Sequence, residues 1–177
     1  PIMDSSQKIG LFFGSFNPIH TGHLIIANLM AETTDLKKVW FVVSPQNPFK
    51  ASKGLLHEFD RYDMVRAAIY DNSKLEVSDV EFHLPKPSYT IHTLVHLQEK
   101  YPEKEFRVII GEDNLVNFTK WKNYREILNQ YGLYVYPRPD AQRDAAPDRA
   151  GQGDSLRQRC VALRQHFCGH RLDRPAR

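Results

Sequence analysis

Long apolar runs are missing from this sequence. None approaches the roughly 18 residues that a membrane span requires, so no membrane helix is expected. The opening residues, PIMDSSQK, lack the basic and apolar regions of a secretory leader, which sets a cytoplasmic expectation. Cysteine is scarce: Cys160 and Cys168 stand near the C-terminus beside His166 and His170. Their C-x5-H-x-C-x-H spacing is not a common zinc arrangement, so no resident metal is expected. Two phosphate-binding fingerprints are also absent. Without G-x-G-x-x-G an ordinary dinucleotide cofactor site is not expected, and without G-x-x-x-x-G-K-[ST] neither is a P-loop.

What is present describes one folded body. The 177 residues are enough for a single domain with a substantial core. Hydrophobic residues make up 41% and charged residues 25%, with eight Tyr and ten Phe, a profile that excludes a disordered chain. The net charge of +3 loses its meaning once located. Residues 1–138 hold 16 Lys+Arg against 16 Asp+Glu, so the surplus belongs to 139–177 and gives no nucleic-acid face. That segment contains no Lys, Glu, Ile, Tyr, Trp, Asn or Thr and is rich in Arg, Asp and Ala. The chain is therefore divided into a body, 1–138, and an atypical segment, 139–177, whose composition suits a disordered or out-of-frame end.

Hydrophobic periodicity predicts an alternation of strands and helices in the body. Strands are expected at Ile9–Phe13, Val39–Val43, Leu75–Val77 (extending as far as Phe82), Phe106–Ile110 and Leu133–Tyr136. Helices are expected from His20 or Thr21 to Thr33, from Glu58 to Tyr70 and from Thr90 to Lys100, with further helical stretches over 114–121 and 124–131. The first should set Leu24, Ile25, Asn28 and Leu29 at helical spacing, the second Phe59, Tyr62, Val65 and Ile69 on one face. Ser88 or Thr90 is the expected cap of the third. Continuous apolar strands joined by helical crossovers imply an α/β fold with a doubly wound parallel sheet.

In such a sheet ligands sit at the carboxyl ends of the strands, near the switch in strand order. The richest end is the first, KIGLFFGSFNPIHTGH over 8–23. A buried strand, a turn with Gly14, Ser15, Phe16 and Asn17-Pro18, and two imidazoles opening a helix make a phosphate-handling device, since helix N-termini present unpaired N–H groups. His20 and His23, three apart, should point the same way, as an anion clamp, a metal pair, or two caps at the core edge. Gly22 between them leaves room above the helix.

Those residues, G-S-F-N-P-I-H-T-G-H, resemble the H-x-G-H signature of the nucleotidyltransferase superfamily, with its Rossmann-like nucleotidyltransferase fold. Three further stretches resemble the bacterial nicotinate-nucleotide adenylyltransferases: Pro87-Ser88-Tyr89-Thr90 with Thr93-Leu94, Ile110 to Leu115 with Phe118 and Trp121, and Tyr136 to Pro139. The resemblance implies transfer of an adenylyl group from ATP to nicotinate mononucleotide, giving deamido-NAD and pyrophosphate. It implies that His20 and His23 are catalytic and bind the ATP phosphates. Gly14, Ser15, Phe16, Gly111 and Asp113 would complete the ATP site, Ser15 and Phe16 through their backbones and Asp113 through a ribose hydroxyl. Lys50 would meet phosphate, as would Arg138; Ser88, Tyr89 and Thr90 would line the pyridine nucleotide pocket, and Trp121 would stack on its ring. Magnesium would arrive with ATP. Implied partners are the two substrates alone, with no nucleic acid or membrane, and a homo-oligomer is compatible with the sequence.

Two departures stand out. His92 occupies a position where an acidic residue is often found, and no I-S-S-T-x-I-R motif follows residue 138. The rival expectations are a sister transferase acting on pantetheine phosphate or using CTP, and a nucleotide-binding remnant without turnover.

Overall fold

The computed structural model describes residues 7–45 and 54–137. Five strands form one sheet: β1 (Gln7–Gly14), β2 (Lys38–Val43), β3 (Leu75–Ser78), β4 (Lys104–Gly111) and β5 (Leu133–Tyr136). Their order is β3-β2-β1-β4-β5 and every pairing is parallel. Strand order reverses at β1, so the crevice between the carboxyl ends of β1 and β4 is the switch point. The doubly wound parallel sheet is as expected.

The strands interleave with helices α1 (Thr21–Thr33), α2 (Glu58–Ala68), α3 (Thr90–Lys100), α4 (Glu112–Leu115) and α5 (Tyr124–Glu126). Alternation along β1 divides the core. Phe12 packs with Ala27, Met30 and Ala31 of α1 and Val65 of α2 on one face. Ile9 and Leu11 pack with Ile91, Leu94 and Leu97 of α3, and with Phe118 and Ile127, on the other. Burial of side chains this size contributes about 1.5–3 kcal/mol each, which makes these two layers the main stabilising term.

Several local expectations change. The inner face of α1 is Ala27, Met30 and Ala31, small enough for close approach to the sheet, while Ile25 is 60% exposed. The inner face of α2 carries Arg61 and Val65, and Phe59 is 57% exposed, stacked on His57. β3 stops at Ser78 because Val80–His83 winds into a 3-10 turn. Residues 114–121 divide into the end of α4 and a 3-10 turn at Phe118–Lys120, and α5 runs on into a π-helical turn, Ile127–Tyr131. Neither Ser88 nor Thr90 caps α3. The cap residue is Tyr89, without a side-chain bond, because the Ser88 hydroxyl is drawn to the buried carboxylate of Glu81 at 2.9 Å. No helix among the described residues is long and apolar enough to cross a membrane.

Candidate active site

The turn after β1 is fastened before any ligand is considered. Gly14 carbonyl accepts from Ser44 N–H at 2.9 Å, so the ladder between β1 and β2 runs to its last rung. Phe16 then adopts φ 44°, an uncommon left-handed conformation for a bulky residue. Such a conformation costs on the order of 1–3 kcal/mol. Here the ring is 2% exposed and meets His23, Phe41 and Phe12 at 5.1, 5.2 and 5.7 Å, which offsets that cost. The same ring explains Gly14, where a Cβ would lie 2.9 Å from it. Gly14 thus makes room for the Phe16 ring.

Two side chains hold this turn in place, and the sequence reading passed over one of them, Arg61. Asn17 donates to Gly54 carbonyl at 2.9 Å and accepts from Leu56 N–H at 3.1 Å. Arg61, wholly buried, donates to the carbonyls of Ser15 (2.5 Å), Ser44 (2.8 Å), Pro45 (3.3 Å) and Leu56 (2.9 Å). It therefore ties together the carboxyl ends of β1 and β2. Burial lowers the Arg61 pKa from its ordinary value, with Glu58 opposing. One signal was available: Arg61, Val65 and Ile69 recur every fourth residue.

His20 caps α1 in an extended conformation, and its carbonyl accepts from the N–H groups of His23 and Leu24. The two imidazoles stack at 3.7 Å, 26° from parallel, so both point the same way as the spacing predicted. His20 N–H donates to His23 Nδ1 at 3.3 Å. An imidazole that accepts at Nδ1 carries its proton at Nε2, so neutral His23 still offers a donor. The space over Gly22 is occupied by the His20 ring, which a Cβ there would meet at 3.0 Å.

Across the switch point lies a cavity of about 380 Å³. It gathers Gly14, Ser88, Tyr89, Thr90, Gly111 and Trp121 from the sequence-predicted set, with Lys120 and Lys122 beside them. Trp121 is half-buried and lies 5.3 Å from Phe118, 55° from parallel. His20, His23, Ser15, Phe16 and Asp113 do not line this cavity. The histidines open α1, and Asp113 lies in the first turn of α4 against Gly111, where a Cβ would clash with its Oδ1 and approach Tyr136 to 3.0 Å. Lys50, Arg138 and the C-terminal segment 139–177, with its Cys and His residues, lie outside the described residues.

Glu81 was also missed. It is 2% exposed, and it accepts from Ser88 and Thr93 hydroxyls, both at 2.9 Å. Burial raises its carboxyl pKa, and hydrogen bonds from Ser44, Ser88 and Thr93 oppose that rise. A glutamate inside V-E-F-H had no sequence signal of burial. A larger cavity, about 570 Å³, opens beside the starts of β1 and β2 at Gln7, Ile9, Lys38 and Trp40. It holds none of the predicted site residues. Among the described residues no group of three or more His, Cys, Asp or Glu could hold a metal.

A parallel sheet with a histidine-capped turn on one side of its switch point and an aromatic cavity on the other defines a nucleotidyltransferase of the class described as cytidylyltransferase-like, whose family model matches residues 11–166. A protein of Cytophaga hutchinsonii named "Probable nicotinate-nucleotide adenylyltransferase" is 69% identical over 135 residues, spanning 76% of this chain and 70% of that one. A protein of the same name from Flavobacterium psychrophilum is 57% identical over 132 residues, spanning 75% and 68%. The chain belongs to the nicotinate-nucleotide adenylyltransferase family. In fold it also resembles the Plasmodium falciparum nicotinic acid mononucleotide adenylyltransferase complexed with NaAD, with a TM-score of 0.61, 19% identity and 76% of each chain covered.

Proposed function

We propose that this chain joins ATP and nicotinate mononucleotide, giving deamido-NAD and pyrophosphate, with the histidine-capped turn taking ATP and the cavity taking the pyridine nucleotide. The observation that carries this reading is the juxtaposition at the end of β1. Stacked His20 and His23 stand on one side, and the wall of Tyr89, Thr90 and Trp121 stands on the other.

The reaction asks little covalent chemistry of the protein. The attacking oxygen belongs to a phosphate monoester whose second pKa is about 6, so it is largely dianionic at pH 7. No general base is needed. The remaining work is to align two anions and to stabilise charge as pyrophosphate leaves. His20 and His23 do this as donors at a helix N-terminus, and the backbone at Ser15 and Phe16 supplies further contacts, held by Arg61. Asp113 takes a ribose hydroxyl, and Trp121 gives the pyridine ring a flat face. Lys50 and Arg138 complete the phosphate contacts.

Magnesium enters as part of the nucleotide substrate, bound by triphosphate oxygens. The cradle offers imidazoles, which suit that hard cation poorly, so no step is assigned to protein-bound metal. The identities to named adenylyltransferases favour this reading over the sister transferases. Pyrophosphate release is measured with ATP and nicotinate mononucleotide together, and binding of each is measured alone. Release requiring both is expected. Binding of both without release marks a remnant.

A further inference from the structure

Lys122 follows Trp121 at the rim of the cavity and is exposed. Its Nζ stands 3.2 Å from His92 Nε2 and 4.9 Å from the centre of the Tyr89 ring. Tyr89 and His92 meet edge to face at 5.6 Å, so the three side chains hold one another. Among the described residues no carboxylate lies within ion-pair distance of Lys122. Among the described residues, the one carboxylate lining the cavity, Glu81, is occupied by the Ser88 and Thr93 hydroxyls.

An ammonium has three donors and no acceptor. One of them reaches His92 Nε2, and the face of Tyr89 attracts the charge without removing it. A carboxylate at position 92 would fix Lys122 equally well, but would cancel the charge. A neutral imidazole fixes it and leaves the charge for the cavity.

We propose that Lys122, positioned by His92 and Tyr89, is a specificity-determining residue that selects a pyridine nucleotide bearing a ring carboxylate over its carboxamide counterpart. This rests on the cavity being the pyridine nucleotide half of the site. The two ligands have the same shape, so the aromatic walls of Tyr89 and Trp121 cannot separate them; charge can. The carboxylate gains a charge-assisted bond from Lys122, whereas the amide offers only a neutral carbonyl.

The test compares kcat/KM for nicotinate mononucleotide and nicotinamide mononucleotide at saturating ATP, in wild type, Lys122→Met, Lys122→Arg and His92→Asp. Loss of one charge-assisted bond corresponds to about a tenfold fall in the acid-to-amide ratio. That fall is expected in Lys122→Met, mainly through KM for the acid. Lys122→Arg should keep the preference, and His92→Asp should lower it by a smaller factor. Lys122 and His92 are both exposed, so the variants should melt with wild type. An unchanged ratio in Lys122→Met, or equal losses with both substrates, would overturn the proposal. If wild type turns over neither substrate, the functional reading fails separately. Quenching of tryptophan fluorescence by each mononucleotide then gives the same ratio as binding, and an unchanged binding ratio in Lys122→Met overturns the proposal.

Discussion

Replacing Arg61 with Met removes the clamp between the carboxyl ends of β1 and β2 while keeping an unbranched apolar stem. Four backbone carbonyls, those of Ser15, Ser44, Pro45 and Leu56, lose their donor. Hydrogen bonds to a charged group contribute about 1.5–3 kcal/mol each, so the gross loss is roughly 6–12 kcal/mol. Two effects reduce it. Methionine avoids the several kcal/mol that burying a guanidinium costs, and carbonyls near the loop surface regain water. The expected net destabilisation is about 2–4 kcal/mol, large against a total of about 5–15. Urea unfolding reads this directly. With a slope of about 2 kcal/mol/M the midpoint should fall by roughly 1–2 M at unchanged slope. Arg61→Lys should lie close to Arg61→Met, because one ammonium with three donors cannot reach four carbonyls pointing from three segments. KM for ATP should also rise in both variants, as Ser15 is no longer held. A midpoint within about 0.3 M of wild type would refute the reasoning, since the carbonyls would then be satisfied without Arg61.

Two further outcomes are expected. His20→Ala should lower kcat by about a hundredfold or more with a smaller change in ATP binding, because a donor aimed at developing charge acts in the transition state; equal losses in steady-state kcat and in ATP affinity would reduce His20 to an anchor. Glu81→Gln should gain stability on wild type as pH rises. Burial raises the Glu81 pKa. Its contribution is therefore complete below the unfolded value of about 4.3 and is lost as pH climbs through the folded value. Paired urea curves from pH 4 to 7 should diverge in favour of Glu81→Gln, and a constant gap would show that the carboxyl does not titrate on unfolding.

The architecture was legible because it is written in periodicity. Apolar runs located every strand end within two residues, apart from the extension of β3 to Phe82, and the helix boundaries at Thr33, Glu58, Thr90 and Lys100 matched. The glycines and histidines of 14–23 stood out, yet three local contacts, two there and one at Ser88, were not legible. Gly14 answers the Phe16 ring, Gly22 answers the His20 ring, and Ser88 serves Glu81 instead of capping α3. Arg61 and Glu81 escaped for a shared reason. A charged residue reads as solvent-facing unless its partners are known, and theirs are backbone carbonyls and hydroxyls from 5 to 46 residues away. His92 was noticed only as an oddity; its meaning needed Lys122, 30 residues downstream.

The division of the core along β1 gives the site a parity. Phe12 packs toward the helix that carries the histidines, while Ile9, Leu11 and Phe13 pack toward α3. Both core layers are thus addressed by one strand read in twos. Deleting a single residue between Gly10 and Phe13 would not merely shorten that strand. It would exchange the layers, sending the Phe12 position to the α3 side and its neighbours to the α1 side. Two adjacent residues could be lost together with both halves still facing their own partners. The central strand thus fixes which layer of the core each of its side chains joins.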